Sequence, residues 1–514
     1  MIIGIDLGTR NALCAVSTSD KGEIVIQNRW GSSSTPSVVA YAGNTFIAGE
    51  DAVKVESKYP EQTWWDIKRK IGTSWRASYV KNGVMVESKA EELIVPLLKL
   101  LREDAEAYLN EFIYSCVITV PACFNSLRRS LVLYAAREAG FSGDVKILNE
   151  PTAAALSIGS KEGRYLVLDF GAGTADISVV EMESNVWHIL ESVGTSDIGG
   201  YDFDILLAEW LIERSGLYWI KENVKDLDIW NLFRSQAEKV KIALSSYDRY
   251  ELLPFIAMRE NIEPIMIERE DFNRLIRFHI KRIVNWVKML WEAYKPQKLL
   301  LVGGSSKIPL LRQMLEQDVA SPEYFGYCID EGVAIGAAIH SSTEKDSLLI
   351  DVLSQDITLK YNNNIRIFQK GTPLPANLKE LLPVFDVSLK RISLLQDDVE
   401  ILNMDLDNIK LGEEIMVRIS IDASGLLRVF VIRENCIKSN LSALIQFENI
   451  PNDNNETINE LKSKLLPLFR KASEQQLTKF LNLISTAQIL KDNDELITTL
   501  KKAEEEILDV YEKM

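Results

Sequence analysis

The feature that most limits how this chain can fold is a short pattern that occurs twice, at residues 2–9 and 165–174. In each copy an apolar run with strand character ends on an aspartate, turns through glycine and leads into a second apolar run. Glycine lets the backbone turn tightly and bring its N–H groups against phosphate oxygens, and an aspartate can hold a magnesium ion or its water ligands. The repeat therefore predicts two phosphate-binding hairpins, with Asp6 in the first and Asp169 in the second.

One such hairpin would be weak evidence, because most strand-turn-strand segments that contain glycine are ordinary hairpins. Two similar copies in one chain indicate a duplicated domain with two lobes. Each lobe would contribute one loop to a ligand bound between them, since clefts between domains are common ligand sites. The sequence therefore predicts a single nucleotide cleft.

Composition limits which classes of partner and which cellular location are expected for this chain. The formal net charge of −16 at pH 7 argues against nucleic acid as a partner, because phosphate backbones are bound by basic surfaces. The five cysteines have no metal-ligand spacing, which is typical of free thiols in a reducing cytosol. No leader pattern and no run of eighteen apolar residues is present, so no membrane partner is expected. These observations predict a cytoplasmic protein.

Changes of pattern along the chain predict four segments. Strand and helix signals alternate over 1–342, as in an α/β domain, and the polar and apolar stretch at 343–353 has the character of a linker. Short alternating runs at 357–359, 365–368, 384–389, 415–421 and 427–432 indicate a β-rich domain over 354–450, with a hairpin turn at 422–425. From 451 to 514 the pattern is helical and amphipathic.

Further motifs follow the first hairpin in a fixed order, and together they resemble the DnaK-type chaperones of the heat shock protein 70 family over most of residues 2–353. The resemblance implies a two-lobed, actin-like α/β ATPase domain, followed by a small β-sandwich-like domain and an α-helical segment. The motifs are 35–37, 66–72, 120–125 with Arg129, 149–155, 198–204, 238–246, 303–309 and 330–338.

The resemblance implies roles around the phosphates. Phosphoryl transfer to water requires mainly positioning and neutralisation of the charge that spreads over the phosphate oxygens. Asp6 and Asp169 would hold Mg²⁺, largely through water, and Lys68 would contact the γ-phosphate and the attacking water. The implied catalytic residues are Lys68, Glu150, Thr174 and Asp176.

The resemblance also implies contacts to the rest of ATP or ADP, with K⁺ as a further candidate ion. Glu238, Lys241 and Ser245 are spaced i, i+3 and i+7, so one helix face presents all three, and the family uses them toward ribose and base. An ordinary polar helix surface is the alternative. The other implied nucleotide-binding residues are Gly8, Thr9, Arg10, Asn11, Gly171, Ala172, Gly173, Gly200, Gly303, Gly304, Ser305, Lys307 and Asp330.

Three residues depart from the family pattern. Arg10 stands where the family usually has a small hydroxyl residue, and we expect it to add or perturb a phosphate contact. Ala172 replaces a glycine, and because alanine tolerates positive φ poorly we expect a shifted or stiffened loop. Tyr201 replaces an acidic residue.

The segment 348–351 resembles the family's apolar linker, which docks on the nucleotide domain in the ATP state; an edge strand of the β-rich domain is the alternative. The β-rich domain resembles the peptide-binding domain loosely, at 370–375 and 419–425, and 354–364 lacks the family's glycine-rich loop. We therefore expect a changed peptide groove and a reduced lid.

These expectations together predict an ATP-dependent chaperone that couples nucleotide state to binding of client polypeptides. A J-domain co-chaperone and a nucleotide-exchange factor are the implied partners. Two alternatives stay open at this point. One is a weakly catalytic regulator or exchange partner of another chaperone, and the other is an actin-like filament protein or sugar kinase, since those proteins share the two-hairpin cleft.

Overall fold

The computed structural model describes residues 1–446 with gaps at 19, 21, 159–161, 185, 217–226, 253–263, 325–329, 343–347, 362–363, 384–390, 398, 407–410, 412, 434–435 and 442–444. The helical segment predicted at 451–514 and the strand predicted at 384–389 lie outside the described residues. The chain divides into two compact units. The first comprises Met1–Gln355, Gln369–Leu374 and Ala423–Gly425, and the second comprises Asp356–Phe368, Pro375–Asp422 and the chain from Leu426 onward.

The first unit is built from alternating strands and helices. Its strands are β1 (Ile2–Asp6), β2 (Asn11–Thr18), β3 (Gly22–Ile26), β4 (Thr35–Pro36), β5 (Val39–Ala42), β6 (Thr45–Ala48), β7 (Thr63–Trp64), β8 (Arg76–Lys81), β9 (Val84–Lys89), β10 (Ser115–Val120), β11 (Val145–Asn149), β12 (Gly163–Phe170), β13 (Ala175–Glu183), β14 (Val186–Thr195), β15 (Arg249–Leu252), β16 (Ile265–Glu268), β17 (Lys298–Val302), β18 (Glu323–Tyr324) and β19 (Leu348–Ile350). Its helices are α1 (Glu50–Val55), α2 (Ile67–Lys70), α3 (Ala90–Leu109), α4 (Ser126–Glu138), α5 (Glu150–Leu156), α6 (Gly200–Arg214), α7 (Leu227–Ser246), α8 (Arg269–Tyr294), α9 (Pro309–Asp318) and α10 (Gly332–Ser342). Short 3-10 helices cover Pro60–Gln62 and Gly304–Lys307.

Two six-stranded sheets repeat the same local arrangement, as the duplicated sequence pattern predicts. In the order β11-β10-β1-β2-β3, with β4 beside β2, strand β1 has a parallel neighbour, β10, and an antiparallel neighbour, β2. In the order β18-β17-β12-β13-β14-β19, strand β12 likewise has parallel β17 on one side and antiparallel β13 on the other. Each of these central strands carries its aspartate at or next to its carboxyl end. Smaller sheets join β6-β5-β7, β8-β9 and β15-β16.

The central strands are apolar because helices cover them. Ile3 and Ile5 of β1 are fully buried in one hydrophobic cluster, and Leu166 and Leu168 of β12 are fully buried in another. Strands buried on both faces are typically continuous apolar runs. Helix α8 contributes residues spaced by three or four positions to the second cluster, so one stripe of this helix faces the sheet. These residues are Phe272, Ile276, Ile280, Ile283, Val287 and Leu290.

Within the predicted linker, Leu348–Ile350 form strand β19 of the first unit. It pairs in parallel with β14, with Leu348 opposite Val186 and Ile350 opposite His188. The alternative that this segment is an edge strand of the β-rich domain is therefore wrong, because its hydrogen-bonded neighbour belongs to the second six-stranded sheet. Leu349 packs against the hydrophobic cluster that contains Trp187.

The second unit contains two antiparallel sheets in the orders β21-β20-β23-β24 and β22-β25-β26-β27-β28. Four predicted strands are present as β20, β21, β25 and β26, and the predicted turn at 422–425 joins β25 to β26. Five strands of the described residues, β22, β23, β24, β27 and β28, were not predicted. The strands are β20 (Ile357–Lys360), β21 (Asn364–Phe368), β22 (Ala376–Pro383), β23 (Arg391–Gln396), β24 (Val399–Asp405), β25 (Glu414–Ile421), β26 (Leu427–Arg433), β27 (Cys436–Leu441) and β28 (Ile445–Gln446).

None of the helices in the described part of the chain has the length and apolar character needed to cross a membrane.

Candidate active site

The two repeated hairpins open onto one cavity of about 670 Å³ in the first unit. We call the turn 7–10, between β1 and β2, the first phosphate loop and the turn 171–174, between β12 and β13, the second phosphate loop. Helix α7 and the turn after β17 complete the wall. The predicted site residues that line the cavity are Asp6, Gly8, Thr9, Arg10, Asn11, Lys68, Glu150, Asp169, Gly171, Ala172, Gly173, Thr174, Glu238, Lys241, Ser245, Gly303, Gly304, Ser305, Lys307 and Asp330.

Two predicted site residues do not line the cavity. Asp176 is fully buried in β13, where it pairs with Asp169 of β12 in the sheet register. Gly200 begins α6, and its carbonyl oxygen accepts a hydrogen bond from Lys241 Nζ at 2.9 Å. Both residues therefore lie behind residues that do face the cavity.

The second phosphate loop does not have the strain expected of Ala172. Ala172 is not among the described residues with positive φ, nor are Gly171 and Gly173. The expectation that alanine distorts this loop through its φ preference is therefore wrong. The glycine at 173 is required for a different reason, since a Cβ there would lie 2.3 Å from Oγ1 of Thr9 in the first phosphate loop.

A buried ion pair lies at the bottom of the cavity. Lys68 Nζ donates a hydrogen bond to Glu150 Oε1, and both side chains are more than nine-tenths buried. Burial disfavours the charge of Lys68, but Glu150 and Asp6 outweigh it, and the lysine pKa is raised. Lys68 is therefore a fixed positive charge held within a group of carboxylates.

The carboxylates around Lys68 repel one another. Burial, with the charge of Glu150, raises the pKa of Asp6 to about 7 and that of Asp176 to about 7. The pKa of Asp169 is raised well above its usual value, again mainly by burial and then by Glu150 and Asp6. Such a group of buried carboxylates favours a bound cation, because a cation would offset this repulsion.

The carboxylates differ in how well they are hydrogen-bonded. Asp6 Oδ1 accepts a hydrogen bond from Thr119 Oγ1 at 3.2 Å, and Asp176 Oδ1 accepts a long one of 3.4 Å from the N–H of Cys123. Asp176 Oδ2 is buried with no hydrogen-bond partner among the described residues. No cluster of three or more metal-ligating side chains occurs in the described ranges. A cation here would therefore take many of its ligands from water or phosphate.

Polar residues of α7, of the 3-10 helix Gly304–Lys307 and of the turn before α10 also line the cavity. Glu238, Lys241 and Ser245 of α7 all line it, so one helix face does present the three residues. Lys241 Nζ lies 2.7 Å from Oδ1 of the fully buried Asp204. Lys307 Nζ donates to Oδ2 of Asp330 at 2.6 Å.

Arg10 makes contacts that the sequence did not predict. Its Nε donates to Glu238 Oε1 at 3.1 Å, and its Nη2 donates to Glu238 Oε2. Its guanidinium carbon lies 3.9 Å from the ring centroid of Trp65. Two donors of Arg10 are thus engaged by helix α7.

The segment between the site and the linker is also hydrogen-bonded. Arg129 Nη2 donates to Asn149 Oδ1 at 2.6 Å, and Asn149 Nδ2 donates to Asp351 Oδ2 at 2.9 Å. Burial raises the pKa of Asp351 to about 6 against the opposing hydrogen bond from the N–H of Val352 and the charge of Arg129. These hydrogen bonds connect Asp351, the residue after β19, to Asn149. Asn149 directly precedes Glu150, which is one of the catalytic candidates.

Sequence reasoning missed several residues of the cavity wall. Most of them lie inside the motifs at 238–246, 303–309 and 330–338, and two serines directly precede the motif at 35–37, but none was singled out as a site residue. The missed lining residues are Leu13, Ser33, Ser34, Ile242, Ser246, Ile308, Glu331 and Val333.

Comparison with known proteins gives consistent matches over most of the chain. A protein-family model described as Hsp70 protein matches residues 2–507. The chaperone protein DnaK of Mycoplasma mobile is 33% identical over 499 residues, which cover 90% of this chain and 80% of that protein. The corresponding protein of Ureaplasma urealyticum serovar 10 is 30% identical over 465 residues, covering 84% and 76%. That of Thermotoga neapolitana is 32% identical over 416 residues, covering 74% and 67%.

Proposed function

This chain belongs to the Hsp70 family, and we propose that the cavity of its first unit is the ATP site of an ATP-dependent chaperone. Members of this family are ATPases, and the similar proteins named chaperone protein DnaK match most of the chain. The chain is therefore an ATPase whose nucleotide state serves a chaperone function. Neither a filament protein nor a sugar kinase accounts for this match.

One observation supports the proposal most strongly. Two aspartate-ended hairpins from two similar sheets face a single cavity, and a buried lysine-carboxylate pair lies between them. Backbone N–H groups of such glycine turns bind phosphate oxygens. A cavity of about 670 Å³ falls within the size range of small-molecule and cofactor sites.

Lys68 is proposed to neutralise charge on the γ-phosphate during hydrolysis. Its raised pKa keeps it protonated, so it presents a preorganised positive charge in a site shielded from bulk water. Glu150 and Asp176 would orient the attacking water and accept its proton, and Thr174 would contact the phosphate through its hydroxyl or backbone. Glu238, Lys241 and Ser245 would contact ribose and base.

The donor set is compatible with Mg²⁺. Hard oxygen ligands suit this ion, which retains several of its waters when bound by one or two carboxylates. Asp6 and Asp169 would hold it, and Asp176, whose Oδ2 has no hydrogen-bond partner among the described residues, would help to order its waters. Bound Mg²⁺ would neutralise charge on the β- and γ-phosphates. K⁺ is a second candidate ion at this end of the cavity.

The remaining assignments are proposals of the same kind. We assign nucleotide binding to 1–342, the linker to 343–353, client binding to the β-rich domain at 354–450 and a short lid to 451–514. Client polypeptides, a J-domain co-chaperone and a nucleotide-exchange factor are the proposed partners, and the cytoplasm is the proposed location. Pull-down with a hydrolysis-deficient variant in ATP and in ADP would identify which partners bind in each state.

Hydrolysis is tested by comparing Lys68→Ala with the unaltered chain at saturating Mg-ATP. We expect kcat to fall by about 100-fold or more, the usual effect of removing a group that stabilises transition-state charge. The control is Lys54→Ala, because Lys54 is an exposed lysine paired with Asp51 at 2.9 Å on α1, and it should leave kcat unchanged. Turnover of the unaltered chain no higher than that of Lys68→Ala, with nucleotide binding retained, would contradict the proposal.

A further inference from the structure

Arg10 belongs to the first phosphate loop, yet its side chain is held at the opposite wall of the cavity. Its Nε and Nη2 each donate to one carboxylate oxygen of Glu238, and its guanidinium lies over the ring of Trp65. The side chain of Arg10 is 11% exposed. A guanidinium that stacks on an aromatic ring and makes a bidentate hydrogen bond to a carboxylate is fixed in position.

This pairing changes what Glu238 offers to a ligand. Burial opposes ionisation of Glu238, but the charge and hydrogen bonds of Arg10 outweigh it, and the glutamate pKa is lowered. Glu238 therefore stays ionised while its charge is compensated by Arg10. Hydrogen bonds to an uncompensated charge are roughly twice as strong as neutral ones, so Glu238 is a weaker acceptor here than a free carboxylate would be.

Two further pairs of charged side chains at this end of the cavity are also engaged. Lys241 contacts Asp204 at 2.7 Å and Lys307 contacts Asp330 at 2.6 Å. Glu238 is the carboxylate of α7 that lines the cavity, and in the proposed site it faces the nucleoside hydroxyl groups. Any loss of its strength as an acceptor would appear directly in recognition of the sugar.

We propose that Arg10 is a specificity-determining residue of the nucleotide site: by occupying Glu238 it reduces discrimination between ribose and 2′-deoxyribose. A small hydroxyl residue, which the family resemblance implies at this position, would leave the carboxylate free to accept from the sugar. The inference rests on the proposed function, in which Glu238 faces the ribose.

The test compares the dissociation constants of ADP and 2′-deoxyADP, each with Mg²⁺, for the full chain. We expect the 2′-deoxyADP to ADP ratio to be near unity in the unaltered chain. Arg10→Thr should raise that ratio about fivefold, the difference between a hydrogen bond to a charged and to a neutral acceptor. Arg10→Thr combined with Glu238→Gln should return the ratio to its original value. Arg10→Lys keeps the positive charge but loses the bidentate hydrogen bond to Glu238, and it should raise the ratio by about twofold.

Arg312→Thr serves as the control, because Arg312 pairs with Glu316 at 2.9 Å on the exposed surface of α9 and its loss should leave the ratio unchanged. A general loss of structure would weaken both nucleotides alike, so the ratio isolates the sugar contact. The proposal is overturned if Arg10→Thr and Arg10→Lys leave the ratio unchanged, or if the double variant keeps a raised ratio. Failure of the unaltered chain to bind ADP at all would instead overturn the proposed function.

Discussion

Gly173 and Thr9 are in direct contact across the cavity: a Cβ at residue 173 would lie 2.3 Å from Thr9 Oγ1 and 2.9 Å from Thr9 Cβ. Gly173 belongs to the second phosphate loop and Thr9 to the first. The two halves of the repeated sequence pattern thus approach each other so closely that no side chain fits between them. The spacing of the two loops depends on the missing side chain at residue 173.

Gly173→Ala should therefore weaken nucleotide binding. The added methyl group must push the two loops apart, and overpacking of this kind typically costs about 1–3 kcal/mol. We expect the dissociation constant of Mg-ADP to rise about tenfold or more, measured by calorimetric titration.

Gly171→Ala is the matched control for this prediction. It adds the same methyl group to the same loop, but the nearest atom to its Cβ would be the carbonyl oxygen of Thr174 at 3.9 Å, and Gly171 does not have positive φ. Without nucleotide, its free energy of unfolding should stay within about 0.5 kcal/mol of the original value, whereas Gly173→Ala should lower it by about 1–3 kcal/mol. Equal effects of the two substitutions would show that contact with Thr9 is not the cause.

Asp169→Asn should stabilise the nucleotide-free chain while it impairs nucleotide binding. Burial and the nearby charges of Glu150 and Asp6 raise the pKa of Asp169, so its ionised form is disfavoured in the folded protein. Removing one charge should increase the free energy of unfolding by about 1–2 kcal/mol and weaken Mg-ADP binding. Thermal unfolding without nucleotide measures the first effect. The control is Asp51→Asn, at a half-exposed carboxylate on α1, which should change neither the free energy of unfolding nor Mg-ADP binding. A lower free energy of unfolding in Asp169→Asn than in the unaltered chain would contradict this account.

Local patterns predicted the hairpins but could not predict how the strands are ordered. The two aspartates were recognisable because each ends a continuous apolar run at a glycine turn, which is a short-range signal. That β1 lies between β2 and β10 depends on contacts between residues more than a hundred positions apart. Strand β22 was missed because its central residues Lys379-Glu380-Leu381-Leu382 interrupt the alternation that marked the other strands.

The sequence motifs predicted most of the residues that line the cavity, but they did not predict the contacts of Arg10. The pair of Arg10 and Glu238 joins residues 228 positions apart, and nothing in either local sequence indicates it. The close approach of Gly173 to Thr9 was also not predicted from the sequence. With Ala172 unstrained, one of the two altered loops that favoured a weakly catalytic regulator no longer supports that alternative.

Docking of the linker strand β19 should tighten as the pH falls from 7 to 5. Burial raises the pKa of Asp351 to about 6 from an ordinary value of 3.8, so the docked state binds a proton that the undocked state releases. The resulting stabilisation is fully present below pH 4 and is lost as the pH rises through 6. Linkage gives a change of about tenfold in the docking equilibrium between pH 7 and pH 5. The charged group that faces Asp351 is Arg129, which stays protonated throughout.

Limited proteolysis of the linker measures this effect, with Asp351→Asn as the reference at each pH. The asparagine side chain stands for the protonated carboxyl group, and comparison at one pH removes the pH dependence of the protease. We expect the ratio of the cutting rate of the unaltered chain to that of Asp351→Asn to exceed one at both pH values and to be about tenfold larger at pH 7 than at pH 5. A ratio that is the same at both values would show that Asp351 does not titrate with docking.

ATP should lower the affinity of the chain for a peptide, and the peptide should lower the affinity for ATP by the same factor, because coupling between two binding sites is reciprocal. We expect a fluorescein-labelled apolar heptapeptide to bind at least about fivefold more weakly with ATP than with ADP, at the lower end of typical couplings. Leu349→Asp should abolish the difference, since Leu349 of β19 packs against the cluster that contains Trp187. Val84→Asp, on a strand where Val84 is 63% exposed, should preserve it. Identical peptide affinities with ADP and ATP in the unaltered chain would rule out coupling, and a full difference in Leu349→Asp would exclude β19 as its route.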